Sequence, residues 1–178
     1  MDKKEIVNML KECGAVKFGS FVLTSGATSN YYIDIKKAST NPKILKRISK
    51  AMAVYTKGYD VIAGMELGAV PLAVALSLET DIPYVIIRKE KREHGTGRQI
   101  EGEDVTSKRV IIVEDVTTSG GSVLKTISIL RENKALVERV VSVVDRESGA
   151  KEKIEGLNVE FIPLISVHDI LGEVDPVG

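Results

Sequence analysis

The chain runs to 178 residues, 43% of them hydrophobic, and one domain of that size buries roughly 70% of the surface its unfolded form exposes. Its 25 Lys and Arg offset 25 Asp and Glu, which excludes a global field able to hold nucleic acid or an anionic membrane; any anion site must be local. Cys13 is the single cysteine, so no intrachain disulfide forms, and no window approaches the roughly 18 apolar residues of a membrane span.

The N-terminus MDKKEIVNML lacks the apolar core of a signal peptide. With a lone cysteine suited to reducing surroundings, the expectation is a soluble cytoplasmic protein. No repeat, low-complexity tract or linker composition divides the chain, so residues 1–178 read as a single domain.

In chain order, Ile6, Met9, Leu10 and Cys13 recur at helical spacing, with Asp2 a candidate N-cap and Gly14 a stop. Residues 15–36 read as an extended hairpin turning at SGATSN. Asn41-Pro42 opens a helix that carries Ile44, Leu45, Ile48, Ala51, Met52 and Tyr55 on one face, and Gly58 ends it. VIA (61–63), a helix near 68–79 and YVII (84–87) follow; after a polar gap come VIIV (110–113), a helix near 120–133, VVSVV (140–144), a short helix and VEFI (159–162). Strands apolar on both faces and separated by helices predict a doubly wound α/β core, a mostly parallel sheet flanked by helices. Residues 1–40 form a small N-terminal hood and 41–165 the core. Ligands of such sheets sit beyond the carboxyl ends of the strands.

One stretch, VIIVEDVTTSGGSV (110–123), puts chemistry at such an end. Small residues between a strand and a helix let backbone N–H groups converge where the helix dipole favours an anion. The hydroxyls of Thr117, Thr118, Ser119 and Ser122 add donors, while Glu114 and Asp115 would repel a phosphate and must face hydroxyl groups or a metal-bound part of the same ligand. A sugar phosphate meets both demands. Competing nucleotide motifs are missing: there is no GxxxxGK[ST], and GTGRQIEG (95–102) fails the GxGxxG spacing.

VIIVEDVTTSGGS resembles the phosphoribosyl-diphosphate (PRPP) motif of the type I phosphoribosyltransferases. FVLTSGATSNYYID, GMELGAVPLA, IRKEKREHGTG, VVDRESGA and ISVHDIL follow the order found in the orotate phosphoribosyltransferase family, so nearly the whole chain carries the resemblance. It implies transfer of ribose 5-phosphate from PRPP to orotate with Mg²⁺, the metal being held mainly through PRPP. It further implies that Glu114, Asp115, Val116, Thr117, Thr118, Ser119, Gly120, Gly121 and Ser122 bind PRPP, the loop amides on the 5′-phosphate and the two acids on the ribose hydroxyls.

Residues 88–103, RKEKREHGTGRQIEGE, are too charged for a sheet interior and long enough for a lid. The resemblance assigns PRPP contacts to Arg88, Lys89, Arg92 and His94, makes Arg92 catalytic beside Glu114 and Asp115, and implies a homodimer whose lids are shared between subunits. Arg146, at another strand end, suits the orotate carboxylate, with Thr118 as second orotate contact and Tyr32 flanking the base. The chain departs from many members at Thr24, Leu67 and Arg92, where lysines are common. The rival readings are a phosphoribosyltransferase for another base and a non-catalytic PRPP-sensing regulator that binds nucleic acid; balanced charge disfavours the second.

Overall fold

A computed structural model describes residues 2–22, 28–90 and 98–172. After helix α1 (Lys3–Glu12), strands β1 (Val16–Val22) and β2 (Thr28–Ile33) pair with each other as a separate antiparallel sheet. Helices α2 (Ile35–Ser39) and α3 (Pro42–Ala53) lead into an alternation of β3 (Val61–Met65), α4 (Val70–Thr80), β4 (Tyr84–Ile87), β5 (Ile100–Gly102), β6 (Arg109–Thr117), α5 (Gly121–Glu132), β7 (Leu136–Asp145), α6 (Ala150–Glu155), β8 (Glu160–Ser166) and α7 (Val167–Leu171). The strands β3 to β8 form one sheet in the order β5-β4-β3-β6-β7-β8, parallel except for the β4–β5 edge pair. This is the doubly wound, mostly parallel arrangement expected.

The pleat decides which helices each residue meets, because successive side chains point to opposite faces. From β6, Ile111 and Val113 join a core with Ile6, Leu10, Ile48, Leu72 and Leu76 of α1, α3 and α4. Val110 and Ile112 join the opposite core with Val123, Ile127, Leu130 and Ile154 of α5 and α6. Both faces are therefore dry, which is why these strands read as unbroken apolar runs.

Several boundaries differ from those read in the sequence. The extended segment stops at Ile33 and Ile35 already begins α2. Helix α3 is capped as expected, Asn41 accepting from the Lys43 and Ile44 amides at 3.1 and 3.4 Å, but it ends at Ala53, and Gly58 (φ 85°) serves the next turn instead. The polar gap contains β5, a three-residue edge strand that pairs antiparallel with β4. Strand β6 continues past the apolar run to Thr117, so Glu114 and Asp115 lie within a strand whose ladder to β7 holds as far as Thr117–Asp145.

At the amino ends of β6 and β7, Tyr59 lies between two guanidinium groups, Arg109 at 5.1 Å and Arg139 at 5.5 Å from its ring centre. Arg109 is bonded to Glu138 and Arg139 to Glu160. Among the described residues no helix is long and apolar enough to cross a membrane.

Candidate active site

The sheet changes direction of winding between β3 and β6: β4 lies on one side of β3 and β6 on the other. Such a switch point leaves a crevice at the carboxyl edge. From the β3 side it receives Glu66, Leu67 and Gly68, with a cis peptide between Glu66 and Leu67. From the β6 side it receives Glu114 and Asp115. The two come so close that a Cβ built on Gly68 would lie 2.1 Å from Asp115 Oδ2, a position only glycine leaves open.

The acids have unlike surroundings. Glu114 is 6% exposed and its Oε1 accepts from the Asp115 amide at 3.0 Å. Burial, then interaction with the side chain of Asp115 and its charge, push its carboxyl up to about 8, against the opposing pull of the Asp115 amide bond and of Lys89. Asp115 keeps part of its side chain in solvent, and Lys36 on α2 brings its Nζ to 4.0 Å of Oδ2. Asp115 Oδ1 accepts from the Val116 amide at 2.9 Å, which fixes the carboxylate at the loop entrance.

Beyond Thr117 the chain turns through Thr118, Ser119 and Gly120 into α5. Gly120 is left-handed (φ 83°) and occupies the N-cap position, and an added Cβ would press on Ala150 at 3.3 Å. Glu114, Val116 to Ser122 and Val123 line a cleft of about 180 Å³ at the N-terminus of α5. Thr118, Ser119, Gly121 and Ser122 are exposed to it. Thr117 is not: its hydroxyl is buried and donates to Ser142 Oγ at 2.9 Å, so only its backbone faces the turn.

Arg146 stands next to this cleft because its amide donates to Thr117 O at 2.8 Å, tying the end of β7 to the end of β6. Its guanidinium lies 5.1 Å from the ring centre of Tyr31, and its Nε is buried with no hydrogen-bond partner among the described residues. The neighbouring acids are engaged elsewhere: Asp145 accepts from the Glu147 amide at 3.0 Å and Glu147 from the His168 amide at 3.3 Å. Burial raises the Asp145 carboxyl above its usual range. A guanidinium whose buried Nε has no partner among the described residues, near a helix N-terminus and two acids, fits a ligand carrying both a sugar phosphate and a planar anion.

Comparison with known proteins agrees with that geometry. Residues 34–165 match the phosphoribosyl transferase domain family. The orotate phosphoribosyltransferase of Methanocaldococcus jannaschii is 52% identical over 172 residues, covering 96% of this chain and 98% of that protein. The chain belongs to the orotate phosphoribosyltransferase family. The crystal structure of the Aeropyrum pernix orotate phosphoribosyltransferase superposes with a TM-score of 0.86 at 31% identity, covering 95% of this chain and 97% of that one. The Mycobacterium tuberculosis orotate phosphoribosyltransferase solved in complex with PRPP gives 0.78 at 29% identity, with 96% and 99% covered.

Within this orotate phosphoribosyltransferase scaffold the candidate residues divide into three groups. Glu114 and the turn 116–122 line one cleft, with Asp115 next to Glu114 in β6 and Arg146 tied to Thr117 beside it. Arg88 and Lys89 stand at the end of β4; Arg88 has a buried Nε without a partner among the described residues and a 3.8 Å approach of Nη1 to Glu101. Arg92, His94 and Thr24 lie outside the described residues. Leu67 is described and is 70% exposed at the crevice edge.

Tyr31, the neighbour of Tyr32, is the tyrosine that lies against Arg146, while Tyr32 is exposed and packs on Phe21 at 5.7 Å. The signal was present, since Ile33 packs on the core and a period of two places Tyr31, not Tyr32, on its side. Lys36, Glu66 and Lys125 also reach the site and went unread, because only the fold brings them there.

Proposed function

We propose that the protein transfers the ribose 5-phosphate group of PRPP to orotate, giving orotidine 5′-phosphate and diphosphate, a step in de novo pyrimidine synthesis. One observation carries the reading: Glu114 and the α5 N-terminus line one cleft, Asp115 follows Glu114 in the same strand, and beside the cleft stands a guanidinium whose Nε has no partner among the described residues. The PRPP held by the Mycobacterium tuberculosis relative supports it.

In this reading the turn amides and the positive end of α5 bind the 5′-phosphate, remote from the bond that breaks. That binding orients the ribose, so its energy serves the reaction rather than mere capture. Asp115 and Glu114 hold the ribose hydroxyls and offset positive charge on the ring as the anomeric C–O bond loosens. Contact with a diol, and with a metal-bearing ligand beside it, favours the ionised form of Glu114 that burial opposes. Arg146 fixes the orotate carboxylate, with Thr118 beside it and Tyr31 against the guanidinium. Arg88, Lys89, Arg92 and His94 neutralise departing diphosphate.

Mg²⁺ belongs to the same proposal. Among the described residues there is no cluster of three or more His, Cys, Asp or Glu, and the ion would be held chiefly by the oxygens of the substrate phosphates. When bound, the ion would neutralise charge accumulating on the diphosphate. A homodimer with shared lids, and a cytoplasmic location, complete the proposal.

The test is to mix protein, orotate, PRPP and Mg²⁺ and follow the ultraviolet absorbance of orotate; absence of turnover ends this reading. Uracil, which lacks the carboxylate, should be a poor substrate, because it leaves Arg146 desolvated and unpaired. Comparable rates with the two bases would remove Arg146 from its role.

A further inference from the structure

Lys89 is the residue at which β4 leaves the sheet. The Arg88 amide still donates to Gln99 O at 2.9 Å, across the same edge that pairs Ile87 with Ile100. One residue later the ladder has ended, and a backbone peptide needs other partners. It finds them on two elements that are remote in sequence. The Lys89 amide donates to Glu66 Oε1 at 2.8 Å, on the turn after β3, and the Lys89 carbonyl accepts from Lys125 Nζ, on the second turn of α5. Gln99 Nε2 adds only a long 3.5 Å approach to the same carbonyl.

These two side chains therefore join the three segments that frame the crevice: the β3 turn that abuts Asp115, the stem of the charged 88–103 segment, and the helix whose N-terminus lines the cleft. Both bonds involve a charged group, which makes them stronger than a neutral pair. The peptide they hold carries the Lys89 ammonium, whose charge is felt by Glu114 inside the site.

We propose that Glu66 and Lys125 are positioning residues that clamp the Lys89 peptide and so aim its ammonium at the PRPP diphosphate. This rests on the function proposed above and adds residues to it. A clamp of this kind acts on PRPP and leaves orotate alone, and it acts only through Lys89.

A double-mutant cycle tests it. Lys125→Met should raise the KM for PRPP and the Kd of PRPP with Mg²⁺, measured by calorimetry, by roughly tenfold, equivalent to about 1.4 kcal/mol of binding. The KM for orotate should stay within about twofold, and Lys125→Arg, which still donates to a carbonyl, should recover most of the loss. Glu66→Ala should act in the same direction. In a Lys89→Met background, Lys125→Met should cost little more. Full cost in that background would overturn the proposal by showing that Lys125 acts directly on the ligand or merely on the fold; so would unchanged PRPP binding in Lys125→Met. Should the parent protein bind PRPP without consuming orotate, the proposed function falls while the calorimetric cycle still decides the clamp.

Discussion

At the amino ends of β6 and β7, Arg109 and Arg139 enclose Tyr59 and each also grips a carboxylate, Glu138 or Glu160. At the carboxyl ends of the same strands, Arg146 has a buried Nε without a partner and Glu114 is buried against another acid. One end has its charges matched within the chain, and the other leaves them for a ligand to match. Buried polar groups without partners cost stability, so their confinement to one edge among the described residues marks where the fold yields to chemistry.

The contrast makes its sharpest claim at Asp115. Asp115→Asn should lower kcat by roughly 100-fold or more, because the lost charge matters most when the ring is most positive, with the melting temperature nearly unchanged. A rate within about twofold of the parent would show that this edge does not act through its acids. Arg146→Ala comes next: loss of a charge-assisted bidentate contact worth about 1.5–3 kcal/mol should raise the KM for orotate by roughly 10- to 100-fold, with the KM for PRPP nearly constant.

Glu114 tests the same edge through pH. Its carboxyl titrates near 8 in the folded protein against 4.5 ordinarily. Between those values the folded state holds a proton that the unfolded state has released, so stability falls as pH rises through the window. In denaturant unfolding, the ligand-free protein should lose stability steadily between the acidic and alkaline ends of that range, and Glu114→Gln should flatten the dependence. Tyr59→Leu, at the satisfied end, should cost about 1–2 kcal/mol of stability through lost cation–π contacts and packing. Its kcat/KM should match the parent; a drop in activity without unfolding would break the contrast from the other side.

Much of this was legible in the sequence, because strand period, helix period and turn chemistry are local. The Val and Ile runs mark the buried strands, and the two acids followed by a small-residue turn mark the ligand edge. What escaped depends on distant partners. β5 is three residues of polar gap that become a strand only because β4 offers an open edge. The Thr117 hydroxyl reads as a ligand donor until β6 proves long enough to turn it toward Ser142. Glu66 and Lys125 lie 59 residues apart, and only the crossovers of the sheet bring both to Lys89.

The bond from the Arg146 amide to Thr117 O has a geometric outcome of its own. It fixes the gap between the carboxyl ends of β6 and β7 at one lattice step of a β-sheet, about 4.8 Å, and on the proposed function that step spaces the sugar from the base. On the proposed function, fitting a wider or narrower base would fall to the hairpin of β1 and β2, which forms its own two-stranded sheet and sets Tyr31 against Arg146.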